Sequence, residues 1–198
     1  LFTAVPVSAI YEPLSVPNNR IGVHVLDPSE VVEAAKLVNS TGGDWGYITI
    51  PIRSNDRDRD KWIDFFRNCA QAHLIPIIRL STYVYHDTWV TPSSYDLVDF
   101  ANFLAEMPWP VKNRYIILFN EPNHALEWGG SVDPSHYATL LIQAKDIFKS
   151  RSEDFFLLSA GLDMSAPANP TSQDALAFYR RMSIAQPNWH EAVDGYSF

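Results

Sequence analysis

The sequence predicts a parallel α/β fold, and three observations carry that expectation. Six short apolar runs alternate with five segments of helical period. Capping and stop signals fall between them. No linker, low-complexity tract or change of composition divides the chain. Strands that each feed a helix pair in parallel, through right-handed crossovers.

The first strand is predicted over residues 21–26. Asp27-Pro28-Ser29-Glu30 then reads as a helix start, with Asp27 capping, Pro28 in the first turn and Glu30 three residues on. Val31, Ala34, Ala35 and Val38 give that helix one apolar face, and Gly42-Gly43 is expected to stop it. The second strand covers 47–52. Trp62, Phe65, Phe66, Cys69 and Ala70 form the stripe of the second helix. The third strand covers 74–80, interrupted early by Pro76, and its helix carries Leu97, Phe100, Ala101 and Leu104. The fourth strand, 115–119, precedes a helix with Tyr137, Leu140, Leu141 and Ala144. The fifth, 155–160, precedes one with Ala175, Phe178, Tyr179 and Met182, and a sixth strand lies near 193–198.

Two α/β architectures compete. A doubly wound sheet usually carries a glycine-rich turn after its first strand, and here that turn is Leu26-Asp27-Pro28-Ser29, without glycine. A (β/α)8 barrel of about 250 residues is the other solution. Six strands and 198 residues fit an incomplete (β/α)8 TIM barrel, with about six of eight βα units. The expected organisation is an extended leader over 1–19 and a partial barrel domain over 20–198. The chain reads as a fragment. It starts at Leu1 without Met and stops at Phe198 within an apolar stretch.

Composition bounds the function. Aromatics at 13% and charged residues at 19% are those of a globular chain rather than a disordered one. Fifteen Lys+Arg against 23 Asp+Glu give a net charge of −8, which argues against a nucleic-acid partner. No apolar run reaches the roughly 18 residues of a membrane span. Cys69 is the single cysteine, which excludes an intrachain disulfide and a cysteine-based zinc site. His73, His86, His136 and His190 show no HxH or HExxH spacing, so no metal is assigned.

In a barrel, polar residues at the C-terminal ends of strands build the active site. Here those are His24, Arg53, Arg79, the segment Asn120-Glu121-Pro122-Asn123-His124, Asp163 and Tyr196. Neighbouring strand residues point to opposite faces, so Asn120 and Glu121 reach one site only through a bend or bulge. From spacing alone, the segment is a polar strand end as readily as a site.

The run 115–123, Tyr-Ile-Ile-Leu-Phe-Asn-Glu-Pro-Asn, resembles the fourth-strand motif of glycoside hydrolase clan A. These are retaining (β/α)8 enzymes that include the family 5 cellulase-like and family 39 xylosidase-like groups. The clan's Asn-Glu-Pro falls on Asn120, Glu121 and Pro122, and the strand–helix order fits over about residues 20–198. The resemblance implies an O-glycosidase of a β-linked glycan, with no cofactor and a carbohydrate as partner. Glu121 would be the general acid/base and Asn120 would hold the substrate 2-hydroxyl. An acid working near neutral pH needs burial or a second carboxylate to keep its proton. The clan's nucleophile closes the seventh strand, which this chain lacks. Glu127 and Asp163 are carboxylates that match no family position. The chain alone is therefore expected to be inactive.

Further candidate substrate contacts are Arg79, His24, Asn123, Trp128, Trp89 and Tyr196. Arg79 either orients a carboxylate or serves a structural ion pair. Trp89 and Trp128, with Tyr83 and Tyr85, lie in loops after the third and fourth strands, where rings either stack on sugars or anchor the loop. Trp128, before Gly129-Gly130, is the foremost sugar contact expected. The rival class is a non-catalytic carbohydrate-binding or scaffold barrel. The apolar, proline-punctuated start fits a mature terminus after signal cleavage, the tail of an anchor or a plain leader, with a secreted or extracytoplasmic setting favoured.

Overall fold

In the computed structural model, which describes residues 20–198, six strands form one parallel sheet. They are β1 (Gly22–His24), β2 (Gly46–Arg53), β3 (Leu74–Ser81), β6 (Arg114–Leu118), β7 (Phe155–Ser159) and β8 (Gly195–Tyr196), side by side in that order. A separate hairpin, β4 (Val84–Tyr85) with β5 (Thr88–Trp89), follows β3. One helix joins each consecutive pair of the large sheet: α1 (Val31–Val38), α2 (Arg59–Gln71), α3 (Ser94–Ala105), α4 (Pro134–Lys149) and α5 (Ala175–Ala185). The expected leader over 1–19 lies outside the described residues.

Burial alternates along β2 and β7, as a two-residue period requires. Ile48, Ile50, Ile52, Ile78, Leu80, Ile116, Leu118, Phe155 and Leu157 are buried and belong to the main core with the helices. Trp62, Phe65, Phe66 and Cys69 of α2 meet them, as do Leu97, Phe100, Ala101 and Leu104 of α3. The alternate strand positions carry Tyr47, Tyr115 and Phe156, with ring centroids 6.4 and 5.2 Å apart, on the face opposite the helices.

Local chemistry starts each helix. Asp27 accepts from Ser29 N–H, and Glu30 closes a capping box on the short 3-10 turn before α1. Asp58, Ser93, Asp133 and Asp174 cap the other four helices, each worth about 1 kcal/mol. Two expectations need correction. First, α1 ends at Val38 with Asn39 as its cap, before Gly42-Gly43, because the Asn39 amide also accepts from Gly46 N–H at the start of β2. Second, Pro76 does not interrupt β3. Pairing of β3 with β6 begins only at Ile77, so at Pro76 the strand has a ladder neighbour on the β2 side alone, where a missing N–H is tolerated. No helix among the described residues is long and apolar enough to cross a membrane.

Candidate active site

The chain leaves β6 through a bend. Phe119 and Glu121 both have left-handed backbone, at φ +73° and +33°, a conformation that costs about 1–3 kcal/mol per non-glycine residue. Phe119 N–H turns back to Ile117 C=O at 3.1 Å, and the buried Phe119 ring packs edge-on against Trp128. This bend breaks the strand alternation between Asn120 and Glu121. Asn120 Oδ1 accepts from Arg79 Nη1 of β3 at 3.0 Å, and Asn120 Nδ2 donates to Glu127 Oε2 at 3.2 Å.

Glu127 lies on a 3-10 turn, Ala125–Glu127, pinned from both sides. Ala125 N–H donates to Thr171 C=O, and Gly129 N–H donates to Trp89 C=O of β5, both at 2.8 Å. Gly129 is required there: its φ is +67°, and a Cβ would sit 2.0 Å from Thr91 Oγ1. Glu121, His124, Leu126, Glu127 and Thr171 line a hollow of about 350 Å³. A second, shallow recess shares Glu127 and is bordered by Asn120, Phe119 and Trp89.

The electrostatics follow from partial burial. Burial pushes the Glu127 carboxyl up. The neighbouring Glu121 adds to the rise, while the Asn120 hydrogen bond, Arg79 and His124 oppose it. Burial lowers the Arg79 guanidinium, and Glu127 and Glu121 counter that. His24 is lowered by burial and then by Arg79. Asp163 is held down at about 2, by the Ser165 hydroxyl first and then by His124 and Ser165 N–H. His124 Nε2 lies 2.9 Å from Asp163 Oδ2.

The residues expected at the site separate into two groups. Arg79, Asn120 and Trp89 come together around Glu127, with Glu121 beside them and His24 within electrostatic reach of Arg79. Arg53 lies over the Trp89 ring, 5.8 Å from its centroid. Three others need correction. Trp128 is 1% exposed, enclosed by Phe119, Tyr137 and His136, so it packs the core and offers no face to a sugar. Asn123 is fully buried. Its Nδ2 donates to the Asp163 and Gln173 carbonyls and its Oδ1 accepts from Asp163 N–H, leaving the amide stapling two loops together. Tyr196 packs edge-on against Trp189, which stacks on Tyr179 of α5, and so belongs with the helix layer. Sequence reasoning missed two features, the Asn120–Glu127 contact and the His124–Asp163 pair. Among the described residues no cluster of three or more His, Cys, Asp or Glu could hold a metal ion.

Neither family models nor curated proteins match this sequence. Solved structures do share its fold. A Thermomonospora fusca β-mannanase in complex with mannohexaose superposes with a TM-score of 0.58 at 13% identity, covering 98% of this chain and 64% of that one. The same organism's β-mannanase in another structure gives 0.53 at 12%, covering 92% and 59%. A GH39 β-xylosidase from Caulobacter crescentus gives 0.53 at 13%, covering 72% and 41%. The architecture is an incomplete (β/α)8 barrel. The chain thus spans 41–64% of the length of these structures, and its mouth lies at the C-terminal ends of β3, β6 and β7.

Proposed function

We propose that this mouth performs the acid/base half of retaining glycoside hydrolysis on a β-linked glycan. Glu121 is the general acid/base and Asn120 the contact to a substrate hydroxyl. The observation that carries the reading is the bend after β6, where two strained residues bracket Asn120 and Arg79 fixes its amide. Strain of this kind gathers where a site needs side chains in one place. The fold neighbours, named a β-mannanase, one with mannohexaose bound, and a β-xylosidase, support a carbohydrate as the ligand.

In the first half-reaction, the Glu121 proton passes to the glycosidic oxygen as the C1–O bond breaks and a nucleophile bonds to C1. In the second, Glu121 takes a proton from water as water displaces that nucleophile. A retaining site needs its second carboxylate about 5–5.5 Å from the acid. Glu127 is engaged by Asn120, and Asp163 by Ser165 and His124. The nucleophile in this reading is therefore neither of them. That same engagement favours the second reading, a barrel that binds carbohydrate without turning it over.

An external nucleophile separates the two. Azide at high concentration can attack C1 of an aryl β-glycoside from the face opposite the leaving group, forming an α-glycosyl azide as the phenol departs with the Glu121 proton. Without azide, no hydrolysis above a Glu121→Ala control is expected. With azide, a phenyl glycoside should give product, and Glu121→Gln should cut its rate about 10²-fold or more. A dinitrophenyl glycoside, whose leaving group needs no proton, should be far less affected. No azide product from either substrate overturns the catalytic reading.

A further inference from the structure

We propose that Glu127 is the positioning residue of this mouth: it fixes which way the Asn120 amide faces and shares in presenting a donor–acceptor pair to one substrate hydroxyl. The inference rests on Asn120 as the hydroxyl contact and adds a residue that the clan's motif does not contain.

A guanidinium has only donors, so the Asn120 atom facing Arg79 must be its oxygen. A carboxylate has only acceptors, so the atom facing Glu127 must be its nitrogen. With a cationic donor on one side and an acidic acceptor on the other, the reversed amide would place like against like at both ends. One N–H of Asn120 Nδ2 is spent on Glu127, and the second is the donor left for a ligand. Glu127 itself keeps acceptor capacity on Oε1. A hydroxyl both accepts and donates one hydrogen bond, so it fits the remaining Asn120 N–H together with a Glu127 oxygen.

The backbone holds Glu127 for this task. Its 3-10 turn is bonded to the loop before α5 through Thr171 and to β5 through Trp89, and Gly129 lets the turn approach Thr91 closely. Preorganisation of this kind is what a positioning group requires. The charged groups around Glu127 are Glu121, Arg79 and His124, with Asp163 behind His124. The raised Glu127 carboxyl also means that it takes up a proton before an ordinary glutamate does as pH falls, weakening its hold on Asn120.

The test reads the Asn120 side-chain amide by ¹H–¹⁵N NMR on the full chain, assigned by its loss in Asn120→Asp. In the wild type, the Nδ2 proton facing Glu127 should move with pH at a midpoint above the ordinary glutamate value. Glu127→Gln keeps an acceptor oxygen without the charge. It should preserve the amide's slow water exchange and abolish that titration. Glu127→Ala should speed exchange at least tenfold. A wild-type titration that persists unchanged in Glu127→Gln, or exchange equal in all three proteins, overturns the inference. No turnover enters this readout, so it stands or falls separately from the azide reaction, which tests the catalytic reading.

Discussion

His124 Nε2 lies 2.9 Å from Asp163 Oδ2, tying the loop after β6 to the loop after β7. The Asp163 carboxyl is held at about 2, mainly by the Ser165 hydroxyl and then by His124. A depressed carboxyl stabilises the fold above its unfolded value of about 3.9, and that contribution is lost as pH falls through about 2. Thermal unfolding of wild type and Asp163→Asn from pH 2 to 6 checks this. The gap in Tm should be constant above about pH 5 and close towards pH 2. A gap that is the same throughout contradicts it.

Trp128 should behave as core. It is 1% exposed and touches Phe119 and Tyr137. Trp128→Ala should cost about 3–5 kcal/mol in denaturant unfolding, in the range for buried aromatic truncations. A loss below about 1 kcal/mol would mean that the ring is not packed as described.

Gly129→Ala should destabilise by about 1–3 kcal/mol, since the new methyl meets Thr91 Oγ1 at 2.0 Å. Adding Thr91→Ala removes that collision and leaves only the strain of φ +67°. The double variant should therefore recover part of the loss, with a coupling of about 0.5–3 kcal/mol in the cycle. Strict additivity would show that the close approach is not what requires glycine.

What was legible in the sequence was periodic. The α2 stripe of Trp62, Phe65, Phe66 and Cys69 repeats with the helix, and each of these residues is buried. Asp27 and Glu30 announce a cap because capping is a contact between near neighbours. The bend at Asn120-Glu121 followed from strand alternation, although its means, left-handed Phe119 and Glu121, has no residue signature. The β4–β5 hairpin was not legible. Its turn residues His86 and Asp87 have φ +47° and +59°, as a type I′ turn demands, without the Asn-Gly that usually marks one. Trp128 before two glycines looks like a loop ring, and only the packing of Phe119 and Tyr137 from other elements decides its burial. Asn120 and Asn123 are chemically identical, and what separates them is Arg79 beside one and the Asp163 and Gln173 backbone around the other.

The most direct test of a glycan mouth at Asn120 and Glu121 is calorimetric titration of mannohexaose and of a xylo-oligosaccharide of similar length into the chain and into Asn120→Ala. Saturable binding of at least one is expected, weakened about tenfold in the variant, which corresponds to about 1.4 kcal/mol. Affinity unchanged in Asn120→Ala, or no binding of either oligosaccharide at millimolar concentration, would contradict the account.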